Sequence, residues 1–214
     1  YARGFVPARI AQLFDGKPLE IEVREPAPRL GAPDLVRIRR IALAPSPRQI
    51  LLSLLTCMFL HGGWMHFIGN MWFLWLFGNN VEDRLGRLRY LVFYLVGGVV
   101  ASLTHLVTNW GSEVPTVGAS GAIAAVLGAY LVYYPGSQVA TYVPLGFFYK
   151  LTMVPAAVVL GLWFVLQLFE GVMSFGGADV GGVAVWAHVG GFVAGMVMAR
   201  LSAPSGRAQR APAW

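Results

Sequence analysis

The chain has 214 residues, of which 57% are hydrophobic and only 12% are charged. A soluble domain usually carries about 25% charged residues, so this composition indicates a membrane protein rather than a soluble one. The formal net charge is +6, but the basic residues form no helical stripe with interleaved aromatic residues, so we expect no nucleic-acid partner. Cys57 is the only cysteine, which excludes an intrachain disulfide and a cysteine-based zinc site.

The first 49 residues form a polar segment that contains seven prolines. The apolar residues between Phe5 and Phe14 fit a short amphipathic helix, and Leu19 to Val23 alternates like a strand. We predict a mostly irregular extramembrane loop segment over residues 1–49.

Residues 50–201 are predicted to form an all-α polytopic membrane domain, followed by a tail over residues 202–214. An interfacial helix precedes Gly62, and five transmembrane helices follow at about 64–79, 88–107, 119–134, 151–169 and 183–201. A helix needs about 20 residues to cross about 30 Å of hydrocarbon, so the third span is short. A short span leaves room for a water-filled notch in the bilayer.

Basic residues in the connections predict the orientation of the domain. They follow the first span, precede the fourth and occupy the tail, at positions 84, 87, 89, 150, 200, 207 and 210. Short loops rich in Lys and Arg face the cytoplasm. We therefore expect a cytoplasmic C-terminus, and we expect residues 1–49 and the start of the third span on the opposite side.

Ser120 begins the third span between Gly118 and Gly121. A serine in an apolar helix most often bonds to a backbone carbonyl or packs at an interface. At a helix N-terminus, however, free N–H groups and the positive end of the dipole suit a developing oxyanion. The sequence around Ser120 lacks the preceding strand and the Gly-x-Ser-x-Gly pattern of an α/β-hydrolase.

His188 lies in the fifth span, beside a stripe of small residues that includes Gly191 and Gly195. A similar stripe starts at Gly121, and such stripes let helices approach closely. Close contact would bring Ser120 and the imidazole together. A lone histidine in an apolar helix is more often a core residue or a metal ligand. No carboxylate shares a helix face with His188, so a Ser-His dyad is favoured over a triad.

His66 and Asn70 are four residues apart, on one helical face. Both can donate hydrogen bonds and so could stabilise an oxyanion at Ser120. Metal binding by His61 and His66 is the rival, but the spacing is poor and no carboxylate accompanies them. A purely structural polar pair is the other alternative.

Three motifs occur in order on three spans. They are His61-Gly-Gly-Trp-Met-His66-Phe-Ile-Gly-Asn70, Gly118-Ala-Ser120-Gly121 and Ala187-His188-Val-Gly-Gly191-Phe-Val-Ala-Gly195. Together they resemble the rhomboid family of intramembrane serine proteases, over about residues 50–201.

The resemblance implies a rhomboid-like helical bundle with Ser120 as nucleophile and His188 as general base. It implies an oxyanion site formed by His66, Asn70 and the Ser120 N–H, with the glycines at 118, 121, 191 and 195 as structural support. It also implies transmembrane protein substrates, cleaved near their non-cytoplasmic ends in the lipid bilayer, with no cofactor and no metal. The oligomeric state is not readable. We expect a multi-pass protein of a prokaryotic plasma membrane.

Three features depart from the family pattern. The Trp-Arg pair that many members carry in the first loop is absent, since Trp64 is the first tryptophan. The six-helix core has a helix before the long first loop, and we expect this chain to begin just after it. Many members carry an aromatic residue four positions after the serine, where this chain has Ala124. The imidazole of His188 must then be held otherwise, for example by an aromatic residue from another helix. A catalytically inactive, client-binding relative and a transporter or channel are the alternative functions, although no repeated halves or line of ionisable residues favours the latter.

Overall fold

The chain folds into a bundle of helices with two β-hairpins. The computed structural model describes residues 4–26, 36–175 and 184–202. Within these ranges the helices are α1 (Gln12–Asp15), α2 (Pro47–Thr56), α3 (Trp64–Phe73), α4 (Asn79–Leu85), α5 (Arg87–Thr108), α6 (Ser120–Tyr133), α7 (Ala156–Phe175) and α8 (Val185–Ser202). The strands are β1 (Leu19–Pro26), β2 (Val36–Leu43), β3 (Gln138–Leu145) and β4 (Phe148–Pro155).

Three helices, α5, α7 and α8, are long and apolar enough to cross a membrane. A π-helical turn (Leu74–Gly78) joins α3 to α4, and the resulting helix is bent by 78° from the helix over Pro47–Phe59. If this bent pair is one span, the described residues contain four candidate spans. The shorter helix α6 is also apolar. The predicted mainly helical membrane bundle is therefore confirmed, whereas the number of five spans stays a prediction.

Helix α6 lies at the centre of the bundle. Every residue from Gly121 to Tyr130 is buried, which explains why this helix is apolar on all faces rather than on one stripe. Helices α5 and α8 pack along it. By contrast, α7 exposes a broad apolar surface that includes Leu162, Leu166 and Phe169, as expected of a helix that faces lipid.

Glycines allow α6 and α8 to pack backbone against backbone. A β-carbon on Gly191 would overlap the carbonyl oxygen of Gly121, and one on Gly195 would overlap that of Ala125. In the other direction, a β-carbon on Gly128 would overlap the carbonyl oxygen of Phe192. The small-residue stripes thus meet, as their sequence pattern predicts.

The two ends of α6 have different surroundings. At its C-terminal end the guanidinium carbon of Arg84 lies 5.3 Å from the centre of the Tyr133 ring, and the Tyr133 hydroxyl is 2.8 Å from Oγ of Ser202. At its N-terminal end lie Ser120 and the preceding loop. Ser120 and the basic connection at Arg84 are therefore at opposite ends of the bundle.

The N-terminal segment is more ordered than predicted. Strands β1 and β2 pair antiparallel from Leu19–Leu43 to Pro26–Val36. The Gln12 amide donates to the carbonyl of Leu43, at 2.7 Å, so the hairpin is tied to α1. The strand-like alternation at Leu19 extends into a real strand, and its partner was not recognised in the sequence.

The predicted fourth span is wrong at both ends. Residues 151–155 belong to β4, which pairs with β3 in an antiparallel hairpin, and the helix runs instead from Ala156 to Phe175. A short apolar run can be a strand or a helix, and only a distant pairing partner decides between them. The predicted tail beyond residue 202 and the predicted first residue of the fifth span, 183, lie outside the described residues.

Candidate active site

Ser120 and His188 lie next to each other in the folded chain. Oγ of Ser120 is 2.7 Å from Nε2 of His188. Ser120 is the first residue of α6, and His188 lies one turn into α8. The close packing of these two helices places the hydroxyl and the imidazole within hydrogen-bonding distance, as predicted from the small-residue stripes.

Helix α7 contributes a side chain that the sequence analysis missed. Nδ1 of His188 contacts Oε1 of Gln167, and Nε2 of Gln167 lies 3.0 Å from Oε2 of Glu170. Gln167 is buried. Glu170 follows the predicted end of the fourth span at residue 169, but α7 continues past it to Phe175. A glutamine and a glutamate three residues apart in an apolar helix share a face, and this spacing is the signal that could have identified them.

An aromatic residue also lies beside the imidazole. The ring centres of Trp163 and His188 are 5.9 Å apart, with the planes inclined by 38°. Trp163 is one turn before Gln167 on α7. An aromatic residue from another helix thus lies where Ala124 cannot provide one, in agreement with the prediction.

His66 and Asn70 lie across the site on α3. The amide nitrogen of Gly62 is 3.3 Å from Nδ1 of His66 and donates to it. This bond leaves the proton of a neutral imidazole on Nε2, the nitrogen that faces the site. Asn70 is buried, and its Nδ2 donates to the backbone oxygen of His66 at 2.8 Å. One of its two amide hydrogens remains available.

Gly118 cannot easily be replaced at this site. Its φ of +130° is rarely adopted by residues with a side chain. A β-carbon there would also lie 2.8 Å from Cε1 and Nε2 of His66. The N–H of Gly118 donates to the carbonyl of Cys57 at 2.9 Å. The loop before Ser120 is therefore held against α3 and the turn that precedes it.

These groups line one cavity of about 720 Å³, which is mostly apolar. Its walls include Ser120, His188, His66, Asn70 and Trp163. Of the sequence-predicted residues, Gly118 and Gly121 also reach the cavity, whereas Gly191 and Gly195 act at the α6–α8 contact. Among the described residues, no group of three His, Cys, Asp or Glu side chains is arranged to hold a metal ion.

Comparison with known proteins identifies rhomboid-like proteins as relatives of this chain. The rhomboid domain profile matches residues 48–205. The chain is 38% identical over 78 residues to "RHOMBOID-like protein 5" of Arabidopsis thaliana, which covers 36% of this chain and 25% of that protein. It is 33% identical over 96 residues to "Presenilin-associated rhomboid-like protein A, mitochondrial" of Danio rerio, covering 44% and 25%. It is 42% identical over 80 residues to "Rhomboid-like protease 5" of Toxoplasma gondii, covering 36% and 9%.

The aligned regions amount to a quarter or less of these relatives. The domain profile, in contrast, covers nearly three quarters of this chain, from α2 to the end of α8. It includes every helix that lines the cavity. The chain therefore belongs to the rhomboid family, which includes serine proteases.

Proposed function

We propose that the protein is an intramembrane serine endopeptidase that cleaves transmembrane segments of other membrane proteins. The observation that carries this proposal is the 2.7 Å contact between Oγ of Ser120 and Nε2 of His188. The pair opens on an apolar cavity inside a helical bundle. A hydroxyl bonded to an imidazole at an accessible cavity is the arrangement that acyl transfer requires.

In this mechanism Ser120 attacks the peptide carbonyl while Nε2 of His188 removes the proton from Oγ. The resulting imidazolium gives that proton to the leaving amine, so the peptide bond breaks and an acyl-enzyme forms. Water then attacks the ester, again with His188 as base, and releases Ser120.

Three groups that line the same cavity are the proposed donors to the oxyanion. The N–H of Ser120 is at the first position of α6 and has no partner within the helix. His66 presents Nε2–H because its Nδ1 is already bonded to Gly62. Asn70, which lines the same cavity, uses one amide hydrogen on the backbone oxygen of His66 and has a second one available. Each such donor contributes about 3–4 kcal/mol to transition-state stability in acyl-transfer enzymes.

The bundle geometry favours cleavage near the non-cytoplasmic end of the substrate. Helix α6 has 14 residues, which corresponds to about 21 Å at 1.5 Å per residue. That is less than the roughly 30 Å of hydrocarbon, so Ser120 would lie in a notch below the membrane surface. A substrate helix must unwind to present its carbonyl, and small or helix-breaking residues should therefore be preferred.

The proposed location is a prokaryotic plasma membrane, with residues 1–49 outside. The basic connections at Arg84 and Lys150 support the cytoplasmic orientation of the C-terminus. The bilayer and transmembrane substrates are the proposed partners. The chemistry uses protein groups alone and calls for no cofactor, metal or nucleic acid.

The test compares the purified full-length protein with Ser120→Ala in proteoliposomes that contain a model transmembrane substrate. We expect cleavage by the wild type only, and labelling by a fluorophosphonate probe that the variant loses. Ser137→Ala is the matched control, because Ser137 is buried near the other end of α6 and bonds locally to Tyr134. Cleavage by Ser120→Ala, or none by the wild type, would contradict the proposal. The second outcome would favour an inactive, client-binding rhomboid-like protein.

A further inference from the structure

The side chains of Gln167 and Glu170 continue the hydrogen-bonded chain that begins at Ser120. The order of groups is Ser120, His188, Gln167 and Glu170, with contacts of 2.7 Å at the serine and 3.0 Å at the glutamate. The middle contact joins Nδ1 of His188 to Oε1 of Gln167. Gln167, which is itself bonded to Glu170 on the next turn of α7, thus holds the imidazole from the side opposite to Ser120.

The donor and acceptor groups of these side chains fix the direction of each hydrogen bond in the series. A carboxylate only accepts hydrogen bonds, so the group of Gln167 that faces Glu170 is its NH₂. The carbonyl oxygen of Gln167 then faces His188, and a carbonyl also only accepts. Nδ1 of His188 must therefore carry a hydrogen. In a neutral imidazole this leaves the lone pair on Nε2, facing the hydroxyl of Ser120.

We propose that Gln167, oriented by Glu170, is a positioning residue that fixes the tautomer and ring orientation of His188. This inference rests on the proposed protease function. It replaces the Ser-His dyad expected from the sequence with a chain of four residues. Gln167 stays hydrogen-bonded in both states of the base, because the imidazolium keeps its hydrogen on Nδ1.

The burial of Gln167 favours one orientation of its side-chain amide. Gln167 is 8% exposed, and a buried amide without partners costs roughly 1–3 kcal/mol. Its two ends are occupied by groups of opposite hydrogen-bonding character, so a reversed amide would meet a clash at each end. Trp163, 5.9 Å from His188 between ring centres, limits tilting of the imidazole from the same helix.

Gln167→Met tests the role, because methionine has a similar length and cannot accept the Nδ1 hydrogen bond strongly. We expect kcat to fall about 10- to 100-fold, a part of the 10²–10⁴-fold that a general base contributes, with KM changed less than about twofold. Leu166→Met is the matched control, since Leu166 directly precedes Gln167 in α7 and its side chain is exposed. It should retain wild-type kcat.

A double variant, Gln167→Glu with Glu170→Gln, exchanges the two side chains. The carboxylate at residue 167 then accepts from both the imidazole and the new amide. The hydrogen bond from His188 therefore keeps its direction, while the one between residues 167 and 170 is reversed. We expect this variant to recover most of the activity that Gln167→Met loses. Glutamate has nearly the shape of glutamine, so recovery shows that residue 167 needs this shape together with an acceptor, and the tautomer of His188 separates positioning from packing.

NMR of ¹⁵N-histidine-labelled full-length protein in detergent provides a readout that does not depend on cleavage. We expect His188 as the Nδ1–H tautomer in the wild type and in the double variant, and as a mixture in Gln167→Met. Unchanged kcat in Gln167→Met, or a wild-type His188 protonated on Nε2, would overturn the inference. If the wild type shows the Gln167-dependent tautomer but cleaves nothing, the positioning role stands and the proposed protease function fails.

Discussion

At the scale of single residues, a hydrogen bond accepted by Nδ1 of His66 leaves Nε2 of the neutral ring as the N–H donor. The N–H of Gly62 occupies Nδ1 of His66, and the other edge of the ring, with Cε1 and Nε2, is packed against Gly118 beside Ser120. Without a side chain at residue 118, the ring can approach Ser120. The tautomers inferred for His66 and His188 are thus opposite, and each is fixed by a partner on the side of the ring away from Ser120.

Replacement of His66 by alanine should therefore act on the transition state. We expect His66→Ala to lower kcat about 10²- to 10³-fold, the usual effect of losing one oxyanion donor, and to leave KM almost unchanged. His66→Gln retains an N–H donor of similar reach and should recover part of the loss. Steady-state cleavage of a transmembrane substrate measures both constants. A large rise in KM with unchanged kcat would instead assign His66 to substrate binding.

At the scale of helices, the site depends on the distance between α6 and α8. Gly195 lies about two turns beyond His188 and rests on the backbone of Ala125. We expect Gly195→Ala to force the helices apart, to destabilise the protein by about 1–3 kcal/mol as overpacked sites do, and to lower kcat by separating Ser120 from His188.

Gly161→Ala is the matched control, because Gly161 is also helical but a β-carbon there meets no atom within 4 Å. Alanine is the better helix former by about 1 kcal/mol, so this variant should be neutral or slightly more stable. Thermal unfolding in detergent measures the change in stability, and the cleavage assay measures the change in kcat. Equal unfolding temperatures for the two variants would mean that the α6–α8 contact is not tight.

Helices α6 and α8 were predictable because the sequence signals for them are local. Small residues at every fourth position predict close packing of α6 and α8, and the motif residues Ser120 and His188 begin or flank these stripes. The role of α7 was not predictable in the same way. Its predicted end at residue 169 excluded Glu170, since a predicted helix boundary carries an error of a few residues.

The hairpin of β3 and β4 was missed for a different reason. Its strands pair through contacts such as Tyr142 with Leu151. The end of β4, residues 151–155, was assigned to the fourth membrane span, and β3 was left in the connection before it. One face of the hairpin, with Tyr142, Leu151 and Met153, remains exposed. The alternation of β-branched residues, Val139 and Thr141 in one strand with Thr152 and Val154 in the other, is the local signal for strands.

At the scale of the whole molecule, the N-terminal segment supports the loop that leads to Ser120. Phe5 is fully buried, and its backbone pairs with Thr116 through hydrogen bonds of 3.0 and 2.7 Å. The N–H of Ala8 donates to the carbonyl of Ser112 at 3.0 Å. The segment therefore reaches the loop from one side while Cys57 holds Gly118 from another. A region that looked like a separate polar loop is part of the site's framework.

Phe5→Ala should accordingly affect both stability and activity. Removing a buried phenylalanine costs about 3–5 kcal/mol, and Phe5 packs in one apolar cluster with Ile50, Met58 and Leu106. We expect a lower unfolding temperature, faster hydrogen exchange over residues 112–118, and reduced kcat because the start of α6 is less firmly held. Phe14→Ala is the matched control, since that side chain is 83% exposed. If Phe5→Ala lowered the unfolding temperature but left exchange in the loop and kcat unchanged, the segment would stabilise the bundle without holding the nucleophile.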